Sequence, residues 1–137
     1  MARYTVDANV VINWLMSRVD NAETFFKALT EQDELVSPLL LLPECTSVLR
    51  EEVFARRLRQ EEARDHLETL LSLPLTVFQS FEQFSRALDL SERFQHQKAY
   101  DMQYVSVAEL AEATLVTGDR GPLHAARAIG VPVLVIR

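Results

Sequence analysis

Short β-prone runs and amphipathic helical stretches take turns along this sequence from end to end. The β-prone runs fall at 3–6, 35–37, 75–78, 114–117 and 133–136, and each is bounded by Pro, Asp or Gly. Between them, apolar residues recur at helical spacing. One helix is expected at 10–16. A second opens at Asp20, with Glu23 three residues on in a capping-box pattern and Phe25, Phe26 and Leu29 as its stripe. A long helix after Pro38 carries Glu44, Val48, Leu49, Val53 and Phe54, and another spans 61–71. Ser80 and Gln83 form a capping-box pattern for a helix reaching about Phe94, and 99–111 is helical after the polar break His96-Gln97-Lys98. Pro122 suits a first helical turn, with Gly121 as its cap and Gly130 as the stop.

Strand–helix–strand connections within one sheet are right-handed and parallel. The expected architecture is therefore a three-layer α/β/α domain on a mostly parallel, five-stranded sheet. A chain of 137 residues suits one such domain over 1–137. Only 3 Gly and 5 Pro count against a sandwich or barrel, whose turns consume those residues.

The chain carries 14 Lys and Arg against 20 Asp and Glu, a net charge of -6. That excludes a protein that grips nucleic acid through a dominant basic surface. It leaves room for nucleic-acid chemistry, because surplus carboxylates are what a metal site needs. A cytoplasmic location is expected. Cys45 has no disulfide partner, Met1-Ala2-Arg3-Tyr4 leads into the first strand without a secretory pattern, and the longest apolar run, 39–42, cannot span a bilayer.

Open parallel sheets bind ligands outside the carboxyl ends of their strands. Four carboxylates fall on that rim: Asp7 after the first strand, Glu44 early in the helix after the second, Asp101 in a first helical turn, and Asp119 two residues past the fourth strand. Each has a structural alternative. Asp7 can cap its helix, and Glu44 and Asp101 can act as first-turn acids that favour the helix dipole. Asp119 has no capping role if Gly121 is the cap. Carboxylates set among Val6, Ala8, Pro43, Cys45, Leu115 and Val116 are costly to gather unless cations neutralise them. Mg²⁺, or Mn²⁺, with oxygen ligands is the natural solution, and such ions activate water against a phosphodiester.

At these residues the chain resembles PIN-domain proteins, in particular the VapC-type toxins of prokaryotic toxin–antitoxin pairs. Val6-Asp7-Ala8-Asn9-Val10-Val11 is similar to the first acidic motif and Pro43-Glu44-Cys45-Thr46-Ser47-Val48-Leu49 to the second. Tyr100-Asp101-Met102-Gln103-Tyr104 with Ala108-Glu109-Leu110 is similar to the third, and Thr117-Gly118-Asp119-Arg120 to the fourth. The ending Ala128-Ile129-Gly130-Val131-Pro132-Val133 also fits, so the likeness covers essentially the whole chain. The resemblance implies metal-dependent endoribonuclease activity. It makes Asp7, Glu44, Asp101 and Asp119 the metal-binding and catalytic acids, with Thr117 and Asn9 ordering the site. It also implies an antitoxin that inserts a basic side chain into the acidic pocket. A homodimer is expected.

A phosphoacceptor module would need a lysine after a late strand, and neither Lys27 nor Lys98 is so placed; a PIN-like binding protein without catalysis is the remaining alternative. Arg120 beside Asp119 is the best candidate for touching substrate. Arg56, Arg57 and Arg59 read as a solvated helix end. His66, His96 and His124 lack metal or triad spacing. Cys45 reads as a small buried apolar residue and Trp14 as core or interface. The 39–42 run reads as buried strand-to-helix packing, with a dimer interface as its alternative.

Overall fold

The computed structural model describes residues 1–137. Strand β1 (Arg3–Val6) leads to helices α1 (Ala8–Leu15) and α2 (Asp20–Ala28), and β2 (Glu34–Pro38) to α3 (Leu41–Phe54) and α4 (Gln60–Leu71). Strand β3 (Leu75–Phe78) is followed by α5 (Phe81–Arg93) and α6 (Tyr100–Leu110), and β4 (Thr114–Thr117) is joined to β5 (Val133–Val135) by α7 (Arg120–Ala128). The sheet order is β3-β2-β1-β4-β5, and every pairing is parallel.

From β1 the chain steps outward to β2 and β3, then crosses back to β4 and moves on to β5. Right-handed crossovers put α1 to α4 on one face and α5 to α7 on the other. The packing agrees: α1 meets α2, α3 and α4, whereas α6 lies across β1, β2 and β4 with α5 and α7 beside it. The expected three layers are present. Helix α6 has no wet side over most of its length, since Met102 and every residue from Tyr104 to Ala108 are buried against the sheet centre and its flanking helices. The strand order reverses between β1 and β4, so the crevice beyond their carboxyl ends is the natural ligand site. Val6 pairs with Val116, and the Asp7 N–H continues the ladder by donating to the Val116 carbonyl at 3.0 Å.

Several local expectations shift. Helix α2 has Val19 as its cap with no side-chain bond, so Asp20 and Glu23 form no capping box; Glu23 pairs with Lys27 at 2.9 Å instead. Ser80 does cap α5, accepting from the Glu82 N–H, but the Gln83 amide turns away to donate to Gln103. Pro38 does not stop β2. It pairs with Phe78, where β1 no longer runs alongside, so its missing N–H costs the sheet little. Helix α7 begins at Arg120, not Pro122, and Asp119 rather than Gly121 is its cap residue. Pro122 still falls among the first four N–H positions, which have no intrahelical partner. The 39–42 run is only partly interior: Leu41 is buried and Leu39 is 53% exposed.

Gly118 closes the turn that carries Asp119. A Cβ there would stand 2.3 Å from the Ile136 carbonyl oxygen, which is backbone and cannot rotate away. Gly118→Ala is expected to lower stability by roughly 1–3 kcal/mol and to displace Asp119. Thermal unfolding with a Tm unchanged from wild type would show that this approach is not tight.

Candidate active site

Asp7 is both a cap and a member of a polar cluster. It is 3% exposed, sits at the N-cap of α1 and accepts from the Val10 N–H at 3.0 Å through Oδ1. Its other oxygen, Oδ2, accepts a hydrogen bond from the Thr117 hydroxyl at the end of β4. Thr117 is fully buried, and its Oγ1 also accepts from the Asp119 N–H at 3.1 Å. The Asp119 side chain makes no capping bond and instead accepts from Asn9 Nδ2 at 2.6 Å. These four residues close a circuit: Asp7 to Thr117 to Asp119 to Asn9, and back along the first turn of α1.

Glu44 enters from α3, in the same helix layer as α1, and its Oε1 accepts from the hydroxyl of Tyr104 on α6 at 3.1 Å. Asp101 stands in the first turn of α6, the most exposed of the four acids. Asp7, Glu44, Asp101 and Asp119 line one small cleft with Ala8, Asn9, Tyr104 and Pro122. No Lys or Arg lines it. Arg120 projects into solvent beside it. Tyr104 was not singled out in the sequence, although its place three residues after Asp101 on one helix put it on the same face. Cys45 is fully buried, as expected, and burial pushes its thiol up to about 12. A larger hollow, about 550 Å³, is a different one, walled by Leu39, Phe78, Phe81, Phe84 and Tyr100 among others.

The family model for the PIN domain matches residues 4–128. The chain belongs to the PIN-domain family. No curated protein sequence matches it at a significant level. Among solved structures, this PIN domain is similar to VapBC2 of Rickettsia felis bound to a promoter DNA fragment, with a TM-score of 0.74 at 16% identity over 98% of this chain and 99% of that one. It is also similar to VapBC-1 of Haemophilus influenzae, with a TM-score of 0.69 at 15% identity and 97% coverage of both chains. The VapC20 toxin of Mycobacterium tuberculosis, which cleaves the sarcin–ricin loop, gives 0.61 at 14% identity over 82% of this chain and 86% of that one. At such identities the likeness is one of fold.

The electrostatics of this PIN domain centre on burial of its acids, to which like charge adds. Burial raises the Asp7 carboxyl to about 7, against the lowering effect of the Thr117 and Val10 hydrogen bonds, with Asp119 and Asp101 adding to the rise. Glu44 is also raised by burial, opposed by the Tyr104 hydrogen bond and reinforced by Asp101. Asp101 is raised by desolvation and by Asp119, while His96 acts in the opposite direction. The donors are all oxygen, and no three acidic, His or Cys side chains already form a closed ligand set. Oxygen donors of this kind are the ligand type that hard divalent cations take.

A carboxyl raised in the native state binds more protons there than in the unfolded chain, so stability falls as pH rises between the two pKa values. For Asp7 the window runs from the ordinary aspartate value of 3.8 to about 7. In chelator, Tm is expected to fall between about pH 5 and pH 8, and Asp7→Asn to flatten that fall. Added Mg²⁺ should raise Tm more at the upper end. A Tm in chelator that climbs from pH 5 to pH 8 would contradict this electrostatic picture.

Proposed function

We propose that this PIN domain is a Mg²⁺- or Mn²⁺-dependent endoribonuclease, the toxin of a toxin–antitoxin pair, acting as one domain over residues 1–137. The observation that carries this reading is the meeting of four carboxylates from four separate segments in one cleft at the switch point of the sheet, with no basic side chain among them. A divalent cation held by Asp7, Glu44, Asp101 and Asp119 would supply a water of lowered pKa and offset charge on a phosphodiester. The chain's own residues set the geometry. Thr117 and the Val10 N–H fix the Asp7 carboxylate, Asn9 aims Asp119, and Tyr104 holds Glu44. Arg120, outside the cleft, meets the RNA backbone. VapBC and VapC relatives of the same fold support an antitoxin partner, whose basic side chain would enter the cleft. No helix is long and apolar enough to cross a membrane, which suits the proposed cytoplasmic location.

Cleavage of single-stranded RNA, titrated with Mg²⁺ and Mn²⁺, tests this. Activity should vanish in chelator. Asp101→Asn should cost more than the roughly 10- to 100-fold that loss of an outer hydrogen-bonding partner costs a metal site. Robust cleavage in chelator, or full activity in Asp101→Asn, would sink the mechanism.

A homodimer through the large apolar hollow belongs to the same reading. Leu39, Phe81, Phe84, Leu88 and Tyr100 are 53%, 94%, 57%, 65% and 59% exposed. Together they leave on the order of 600 Å² of apolar surface open, close to the ~800 Å² per partner of a standard interface. None of the residues walling the hollow is charged, so no buried charge would be stranded where two copies meet there. Light scattering should find a dimer that Phe84→Asp converts to monomer with the fold intact. A wild-type monomer at high concentration would refute it.

A further inference from the structure

The turn between α5 and α6 brings His96 to the rim of the acid cleft. Gln95 stands in the left-handed region at φ 56, and the His96 N–H donates to the Ser91 carbonyl at 2.8 Å, tying the turn to the end of α5. Two contacts then lay it along α7. Phe94 meets His124 edge-on with ring centroids 5.5 Å apart, and one helical turn earlier the His96 imidazole rests on Gly121. A Cβ at Gly121 would stand 2.5 Å from Cε1 of that ring. The glycine's missing side chain is thus the seat of the imidazole.

Gly121 lies two residues past Asp119, so the ring seated on it stands at the start of α7, beside the acid cleft. Asp101, at the start of α6, is the exposed acid of the cleft. His96 is half-buried, neighbouring Arg120 is exposed, and neither takes part in an ion pair. Elsewhere Arg3, Arg18, Lys27, Arg57, Arg59 and Arg86 are each paired with a glutamate. A phosphodiester approaching an acidic cleft needs donors just outside it, and His96 and Arg120 stand there, with the Arg137 side chain against Gly118 on the other side of Asp119.

We propose that His96, seated on Gly121, binds an RNA backbone phosphate next to the scissile one, with Arg120 on its other side. This rests on the ribonuclease reading above. A histidine kept only for packing would occupy the same seat, so the test separates binding from stability. Steady-state kcat and KM are measured with Mg²⁺ on a short single-stranded RNA, with Tm alongside. His96→Ala is expected to raise KM about three- to tenfold while changing kcat by less than about twofold. His96→Lys, which places another N–H donor at this position, should recover most of the KM. Gly121→Ala improves intrinsic helix propensity, yet by crowding the ring it should reproduce the KM rise, and in the His96→Ala background it should add nothing. Unchanged KM in His96→Ala overturns the inference, as does a KM rise that His96→Lys fails to recover. If wild type cleaves RNA and Asp101→Asn does not, such results count against His96 alone. If wild type neither cleaves nor binds RNA, the ribonuclease reading falls and the role of His96 with it.

Discussion

A buried carboxylate at the end of the central strand ties the two halves of this sheet together. Asp7 caps α1 with one oxygen and takes the Thr117 hydroxyl with the other, while Thr117 receives the Asp119 N–H and Asn9 holds the Asp119 side chain. The circuit links the carboxyl ends of β1 and β4, where the strand order reverses. Each member has a structural partner, so the acids are held in place before any ligand arrives. The cost is electrostatic. Desolvation and the neighbouring Asp119 and Asp101 hold Asp7 far above the ordinary carboxylate range.

The second pair of acids ties together the helix layers. Glu44 belongs to α3 on one face of the sheet and Tyr104 to α6 on the other, and their hydrogen bond crosses the carboxyl edge of the sheet. Because α6 is buried on nearly all sides, Tyr104 has little room to move, and Asp101 is carried on the same rigid helix. Function-bearing side chains therefore stand on helix starts fixed by the core, an arrangement that keeps a polar site in register better than a free loop does. Glu52, which links Arg18 after α1 with Arg57 after α3, braces the opposite ends of those two helices.

Much of this was legible in the sequence because it is local. Alternation of strand and helix specifies parallel crossovers, and the limits of β1, β3 and β4 follow from Asp7, Pro74 and Gly118. The PIN resemblance came from the same four acidic segments. What was illegible depends on partners distant in the chain. A capping pattern at Asp20 and Glu23 lost to an ion pair with Lys27, a competition that sequence spacing allows in either direction. Helix α7 began two residues early because Asp119 has an extended backbone suited to an N-cap while Asn9, 110 residues away, claims its side chain. Leu39 is apolar yet open, since burial of the 39–42 run depends on how α5 and α6 flank the end of β2. Tyr104 and His96 acquire roles only from what they face across the fold.

Net charge is the sequence property that misleads most, and the structure explains why. A total of -6 is a sum over the whole surface, but in physiological salt exposed charges act over only about 8 Å. Six of the basic side chains are spent on glutamates far from the cleft, so they affect the sum without reaching the site. What an approaching phosphate meets is local: four carboxylates in the cleft, with His96 and Arg120 at its rim. With the carboxylates uncompensated, that field is repulsive. With a divalent cation among them, as proposed, half of that charge is offset and a positive centre faces the phosphate, while the molecule's total stays negative. An acidic chain can thus be selective for RNA in its cation-bound form, and the same acidity disfavours RNA when the cleft is bare.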